Sequence, residues 1–170
     1  THATRKHMIS VAFKEWSVIS RALAEGRQAV ILRKGGIAES GGEFRPEHDR
    51  FLLYPTYFHE QQRVGIKPEL LPLLELAEVE KRSAGTVRFT HFADVTDVVR
   101  ITELEPALAL DAFHGWTLET VRQRFNYRSP GLFALVVRVV PAGSGSGSSR
   151  LKIVRVASST RVGPTFFIAG

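Results

Sequence analysis

The chain has 170 residues, of which 44% are hydrophobic and 24% are charged. This length suits one domain with a full core, and the composition is that of a globular protein rather than a disordered or fibrous one. The sequence contains no cysteine, which excludes disulfides and thiolate chemistry. No apolar run approaches the roughly 18 residues that span a bilayer, so we predict no membrane association and expect a cytoplasmic location.

The net charge of +6 is distributed unevenly along the chain. Residues 8–142 hold all 17 acidic residues and 17 basic ones, because six of the 23 basic residues lie in the two ends. An excess that is confined to the ends is weak support for nucleic-acid binding. A binding function therefore has to rest on a local cluster of charges.

The predicted elements mix helices and strands without a regular βα repeat. Four apolar residues at helical spacing predict a first helix that begins after Ser10 and ends at Gly26: Ala12, Trp16, Ile19 and Leu23. Further helices are predicted at residues 68–81, 106–112 and 117–125. Strands are predicted at residues 28–32, 51–58 and 132–140, and the segment 86–101 is expected to form one long bent strand or two paired strands. Pro55 indicates a sheet edge or a bulge.

This arrangement predicts an α+β fold with a single domain over residues 8–142. We expect a curved mixed sheet or a small barrel, packed by three or four helices. Residues 143–149 are all glycine or serine and are typical of a flexible linker. Residues 150–170 form a basic tail with apolar segments that could return to the sheet as strands.

Arg33, Lys34, Gly35 and Gly36 follow the predicted strand at residues 28–32 and are typical of an anion-binding turn. Two cations precede two glycines that can adopt positive φ and expose backbone N–H groups. A phosphate or carboxylate could be held there, with Lys34 as a point charge and Arg33 as a bidentate donor. A basic, solvated hairpin fits the same residues equally well, and the spacing of a Walker loop is absent.

Alternation along the strand at residues 51–58 places Tyr57 and His59 on one face. An aromatic ring beside an imidazole suits stacking on a nucleic-acid base. The alternative is a structural histidine that is hydrogen-bonded to the following loop.

Arg122, Arg124, Tyr127 and Arg128 form the densest basic and aromatic cluster in the body of the chain. Guanidinium groups interleaved with an aromatic ring are typical of proteins that bind single-stranded nucleic acids. The alternative is a decorated surface helix, in which Glu119 pairs with Arg122 and removes part of the positive field.

A catalytic function finds less support in the sequence. The acidic residues of the loop at 39–49 could hold a hard cation for a metal-assisted phosphodiesterase, but such loops are usually only solvated. The sequence contains no Asp-x-Lys or Glu-x-Lys pair, no G-x-S-x-G motif and no H-E-x-x-H motif. We therefore predict no catalytic residue, no metal site and no cofactor, and we keep the phosphodiesterase and a protein-interaction domain as alternatives.

Several separated strings resemble one bacterial family. They are K-E-W at residues 14–16, L-R-K-G-G-I at 32–37, F-L-L-Y-P-T-Y-F-H at 51–59, and R-F-N-Y-R-S-P-G-L followed by L-V-V-R-V-V within 124–140. In this order they resemble the family called domain of unknown function 1802, over about residues 11–141. That family has no established activity, so the resemblance implies a shared domain and not a mechanism. The chain departs from the expected pattern at Glu60, where we expect glutamine after the histidine.

The order of the elements also resembles that of PUA-like and ASCH-type barrels, which bind RNA or modified bases; this is an analogy of topology. We predict a nucleic-acid or nucleotide-binding module, with single-stranded nucleic acid or a nucleotide as its partner. Arg33, Lys34, Arg124 and Arg128 are expected to contact phosphates, and Tyr57 to stack on a base. The sequence leaves the oligomeric state open. The other predicted binding residues are Gly35, Gly36, His59 and Tyr127.

Overall fold

The computed structural model describes residues 11–34, 50–81, 89–142, 152–156 and 165–169. Its strands are β1 (Val11–Trp16), β2 (Val30–Arg33), β3 (Arg50–Thr56), β4 (His91–Ile101), β5 (Leu132–Pro141), β6 (Lys152–Val156) and β7 (Thr165–Ala169). Its α-helices are α1 (Ser17–Ala24), α2 (His59–Gly65), α3 (Leu71–Lys81), α4 (Leu104–Ala109) and α5 (Leu118–Asn126). Single 3₁₀ turns, Pro68–Leu70 and Asp111–Phe113, precede α3 and follow α4.

The described strands form one mixed sheet in the order β2-β5-β4-β3-β1-β7-β6. Strands β1 and β3 are parallel, and the other described pairs are antiparallel. The sheet curves strongly. Strands β2 and β1 lie four places apart in it, but Nη2 of Arg33 in β2 still donates a hydrogen bond of 2.8 Å to the carbonyl oxygen of Lys14 in β1. The predicted α+β fold with a curved mixed sheet is confirmed.

The predicted first helix is wrong in its first half, because residues 11–16 form strand β1. Ala12 pairs with Leu52 of the parallel strand β3, and Trp16 pairs with Thr56. Two apolar residues four positions apart lie on one side of a strand as well as on one side of a helix. The spacing of Ala12 and Trp16 therefore fits both structures, and the helix begins only at Ser17.

Strands β3 and β4 settle two expectations about irregular pairing. β4 pairs with β3 only at residues 50–52 of β3, so Pro55 lies where β3 has β1 as its one described neighbour. Its missing N–H therefore breaks no bond to β4. The segment around residues 91–101 is one long strand, with a shift in register between Val95 and Asp97, rather than two paired strands.

The core lies between the curved sheet and the helices. Ile19 and Leu23 of α1 are buried as predicted, and the largest fully buried side chain is that of Trp116, just before α5. Thr117 caps α5, since its hydroxyl accepts a hydrogen bond from the backbone N–H of Thr120 at 3.2 Å. Helix α2 was not predicted. None of the helices described is long and apolar enough to cross a membrane.

Candidate functional site

Lys34 joins the end of β2 to the end of α5. Its ammonium group donates to the backbone carbonyl oxygens of Phe125, Ser129 and Gly131, the last at 2.9 Å. These bonds use all three donors of the group. Burial lowers the pKa of Lys34, which forms no ion pair with a carboxylate among the described residues. Lys34 therefore holds the turn that follows α5 in place. It also adds a positive charge that no described carboxylate neutralises.

Arg124 lies between two tryptophan rings. Its guanidinium carbon is 5.0 Å from the ring centroid of Trp16 and 4.6 Å from that of Trp116, and Nη1 donates to the carbonyl oxygen of Leu32 at 3.4 Å. Burial lowers the pKa of Arg124, whereas the nearby carboxylate of Glu15 raises it. The group stays charged, because arginine is protonated at any ordinary pH. These contacts tie α5 to β1 and β2.

Arg33 lies beside this half-buried cation. Besides its bond to Lys14, its guanidinium carbon is 5.2 Å from the ring centroid of Phe13. Its positive charge adds to burial in lowering the pKa of Arg124. The structure thus brings Arg33, Lys34 and Arg124 together where β2 meets α5.

Residues 127–131 connect α5 to β5, and we call them the cationic turn. The ring of Tyr127 is 58% exposed, and the guanidinium carbon of Arg128 is 5.1 Å from its centroid. Arg128 has φ 64°, the one positive φ of a non-glycine residue in the described ranges. A left-handed non-glycine residue costs on the order of 1–3 kcal/mol, and such residues cluster at functional sites.

A pocket of about 230 Å³ opens beside the cationic turn. Arg33 of β2 and Arg100 of β4 are both paired with Phe133 of β5, so the sheet brings the ends of these strands together. Arg100 is exposed, and no ion pair joins it to a described carboxylate. The pocket is lined by Lys34, Arg100, Thr102, Ser129, Pro130, Gly131, Leu132 and Phe133.

The charges elsewhere on the described surface are largely compensated. Cations that form ion pairs with carboxylates within 4.0 Å are Arg21, Arg27, Arg50, Arg63, Lys67 and Arg138. Glu119, which we considered as a partner for Arg122, accepts a hydrogen bond from Gln123 Nε2 at 3.0 Å. Uncompensated positive charge is therefore concentrated around the cationic turn.

The remaining predicted site residues lie in other surroundings or outside the described ranges. Tyr57 is half-buried, and burial raises its pKa, with a further rise from Glu80 and a smaller opposing effect of Arg21. His59 is the first residue of α2, and its side chain is not among those described. Gly35 and Gly36, together with the acidic loop at 39–49, lie outside the described residues. Within those residues, no group of three or more side chains could hold a metal ion.

Sequence reasoning missed Arg100 and Thr102. They lie at the end of β4, more than 60 positions from Lys34 in the sequence, and reach the pocket through the pairing of β4 with β5. No local motif marks them. A register prediction for β4 and β5 is the only signal that could have found them.

The imidazole of His114 is buried, and its ring packs on that of Trp116 with centroids 5.5 Å apart. Burial lowers the pKa of His114 to about 4, and the charge of Lys67 adds to the effect. The unfolded chain, with a histidine pKa of about 6.5, binds more protons between these values, so stability falls as the pH drops through this window.

We therefore expect the free energy of unfolding to fall by about 2 kcal/mol between pH 7 and pH 5 because of His114. Urea unfolding at both pH values measures this loss. In His114→Phe the ring cannot titrate, and this part of the pH dependence should vanish. An unchanged pH dependence in that variant would show that His114 is not the group responsible.

The structure defines an α+β chain with a curved mixed sheet and a cationic turn beside a small pocket. The chain belongs to the family described as Domain of unknown function (DUF1802), which matches residues 12–147. The family resemblance expected from the sequence is thereby confirmed. No curated protein matches the sequence.

Solved structures of an ASCH protein from Zymomonas mobilis are similar to this chain. One has 13% sequence identity and a TM-score of 0.45, and the match covers 75% of this chain and 66% of that protein. A single-residue variant of the same protein has 12% identity and a TM-score of 0.47, with 75% and 68% of the two chains covered.

Proposed function

We propose that this chain is a binding module for single-stranded nucleic acid or nucleotides, with the cationic turn at the centre of its binding surface. The observation that carries the proposal is the exposed pair of Tyr127 and Arg128 beside a pocket lined by two cations. An exposed aromatic ring can stack on any base, because every base has a π face, and neighbouring cations attract the phosphates.

The strained backbone supports the same surface. Arg128 adopts its positive φ next to the three carbonyl bonds of Lys34, so a fixed network holds the turn in place. A held turn presents the ring of Tyr127 with little entropy left to lose on binding. Arg33 and Arg124 lie beneath this surface and contribute to its positive field. Tyr57 and His59 remain proposed contacts for a longer strand.

Loss of the Tyr127 ring tests the proposal. Stacking of a base on an aromatic side chain contributes about 1–3 kcal/mol, so Tyr127→Ala should weaken binding of a labelled single-stranded oligonucleotide by about 5- to 150-fold. Fluorescence anisotropy measures the change, and Tyr127→Phe should keep most of the affinity. Phe113→Ala is the matched control, because this ring is also exposed (52%) but lies on another element. Equal losses in Tyr127→Ala and Phe113→Ala would contradict the proposed surface.

The salt dependence of the same binding reports the phosphate contacts. On single strands the logarithm of the binding constant should fall with the logarithm of salt concentration by about 0.7 for each contact. A necessary control replaces the four tail cations with glutamine, at Arg150, Lys152, Arg155 and Arg161. A salt slope near zero, or binding that disappears in the tail variant, would show that the body of the chain is not the binding surface.

A further inference from the structure

We propose that the pocket beside the cationic turn binds a phosphate monoester, the terminal phosphate of a strand or nucleotide. This inference rests on the proposed function and specifies which part of the ligand this pocket takes. The pocket measures about 230 Å³, smaller than the roughly 300–1,000 Å³ typical of sites that enclose a whole small molecule. A phosphate with part of its sugar fits this space better than a complete nucleotide.

The charge of the pocket favours a monoester over the diester of an internal linkage. Lys34 and Arg100 both line it, and no described carboxylate pairs with either. A phosphate monoester carries about −1.5 to −2 charges at pH 7, whereas each internal phosphate carries one. Two cations therefore match a terminal phosphate in charge.

The two cations contribute differently. The donors of Lys34 are all occupied by backbone carbonyls, so this residue supplies charge and offsets the carbonyl oxygens of Ser129 and Gly131, which would otherwise repel an anion. Arg100 is exposed, and its planar guanidinium can donate two parallel hydrogen bonds to a phosphate. Thr102, which also lines the pocket, offers a hydroxyl donor.

The position of the pocket links it to the stacking residue. Ser129 lines the pocket and lies two residues after Tyr127, and the backbone N–H of Ser129 donates to the carbonyl oxygen of Tyr127 at 2.9 Å. A nucleotide whose phosphate occupies the pocket can therefore place its own or the adjoining base on the Tyr127 ring. The module would then bind the end of a strand rather than its middle.

The test compares three oligonucleotides of one sequence: with a 5′-phosphate, with a 3′-phosphate, and with neither. We expect one terminal phosphate to tighten binding by about tenfold or more, the scale of a hydrogen bond to a charged group. Arg100→Gln should remove this advantage, so that the phosphorylated strands bind this variant no more tightly than the unphosphorylated one. Arg138→Gln is the matched control, since this exposed arginine lies on β5 and pairs with Asp94.

The outcomes separate this inference from the proposed function. Equal affinity for all three oligonucleotides overturns the monoester site, while strand binding by the module stands. If no oligonucleotide binds, the strand-binding part of the proposed function fails, and adenosine 5′-monophosphate and adenosine then probe the pocket alone by calorimetry. Binding of the monophosphate that is lost in Arg100→Gln would support the pocket without strand binding. Equal or absent binding of these two compounds would overturn the pocket as well.

Discussion

Replacement of Trp116 by alanine is expected to lower the free energy of unfolding by about 3–5 kcal/mol, the range for truncating a large buried aromatic side chain. The indole is fully buried. It packs on the ring of His114 and also contacts the guanidinium group of Arg124. Its removal leaves a cavity in the core, and the guanidinium group of Arg124 then contacts only the ring of Trp16 of the two tryptophan rings. Urea unfolding of the two proteins measures the difference as a shift of the midpoint at constant slope.

Two further variants make this prediction specific. Trp116→Phe keeps an aromatic ring in the same place and should cost less than Trp116→Ala, because the cavity is smaller. Phe113→Ala, three positions earlier on an exposed 3₁₀ turn, should change stability by no more than about 0.5 kcal/mol. If Trp116→Ala lost less than about 1 kcal/mol, the indole would not be part of the core.

Elements with a long apolar pattern or a clear cap could be predicted from the sequence alone. The helix at residues 71–81, the capped helix at 118–126 and the apolar strand at 132–141 all form close to where their patterns place them. The segment at residues 11–16 could not be assigned in this way. It is too short for the periods of 2 and 3.6 residues to diverge, and its strand state depends on pairing with β3, about 40 positions away.

The candidate site shows the same division between local and distant information. The sequence marks Arg33 and Lys34 as cations at a strand end, and the cluster around Tyr127 as basic and aromatic. It does not show that Lys34 donates to the carbonyl oxygens of Phe125, Ser129 and Gly131, which lie more than 90 positions later in the sequence. Every residue has a backbone carbonyl, so residue type does not mark these acceptors. Arg100 enters the pocket for an equally nonlocal reason, the register between β4 and β5.

Gln62 is a second residue that sequence patterns pass over, because a glutamine within a polar helix looks like surface. The structure buries it fully and gives its side chain three hydrogen bonds. Its Oε1 accepts from the hydroxyl of Ser17 at 3.0 Å and from the backbone N–H of Val18 at 3.2 Å, and its Nε2 donates to the carbonyl oxygen of Thr56 at 2.6 Å. This one amide links α2 to the first turn of α1 and to the end of β3.

Gln62→Leu should therefore lower the free energy of unfolding by about 2–6 kcal/mol. The leucine nearly matches the volume of glutamine, but the N–H of Val18 and the carbonyl of Thr56 lose their described side-chain partner, and each unsatisfied buried group costs about 1–3 kcal/mol. Gln61→Leu is the matched control, because Gln61 is exposed on the same helix and its replacement should change stability by no more than about 0.5 kcal/mol. Urea unfolding distinguishes the two. Equal, small losses would mean that water replaces the amide at α1, and that the packing of α1 on β3 does not depend on Gln62.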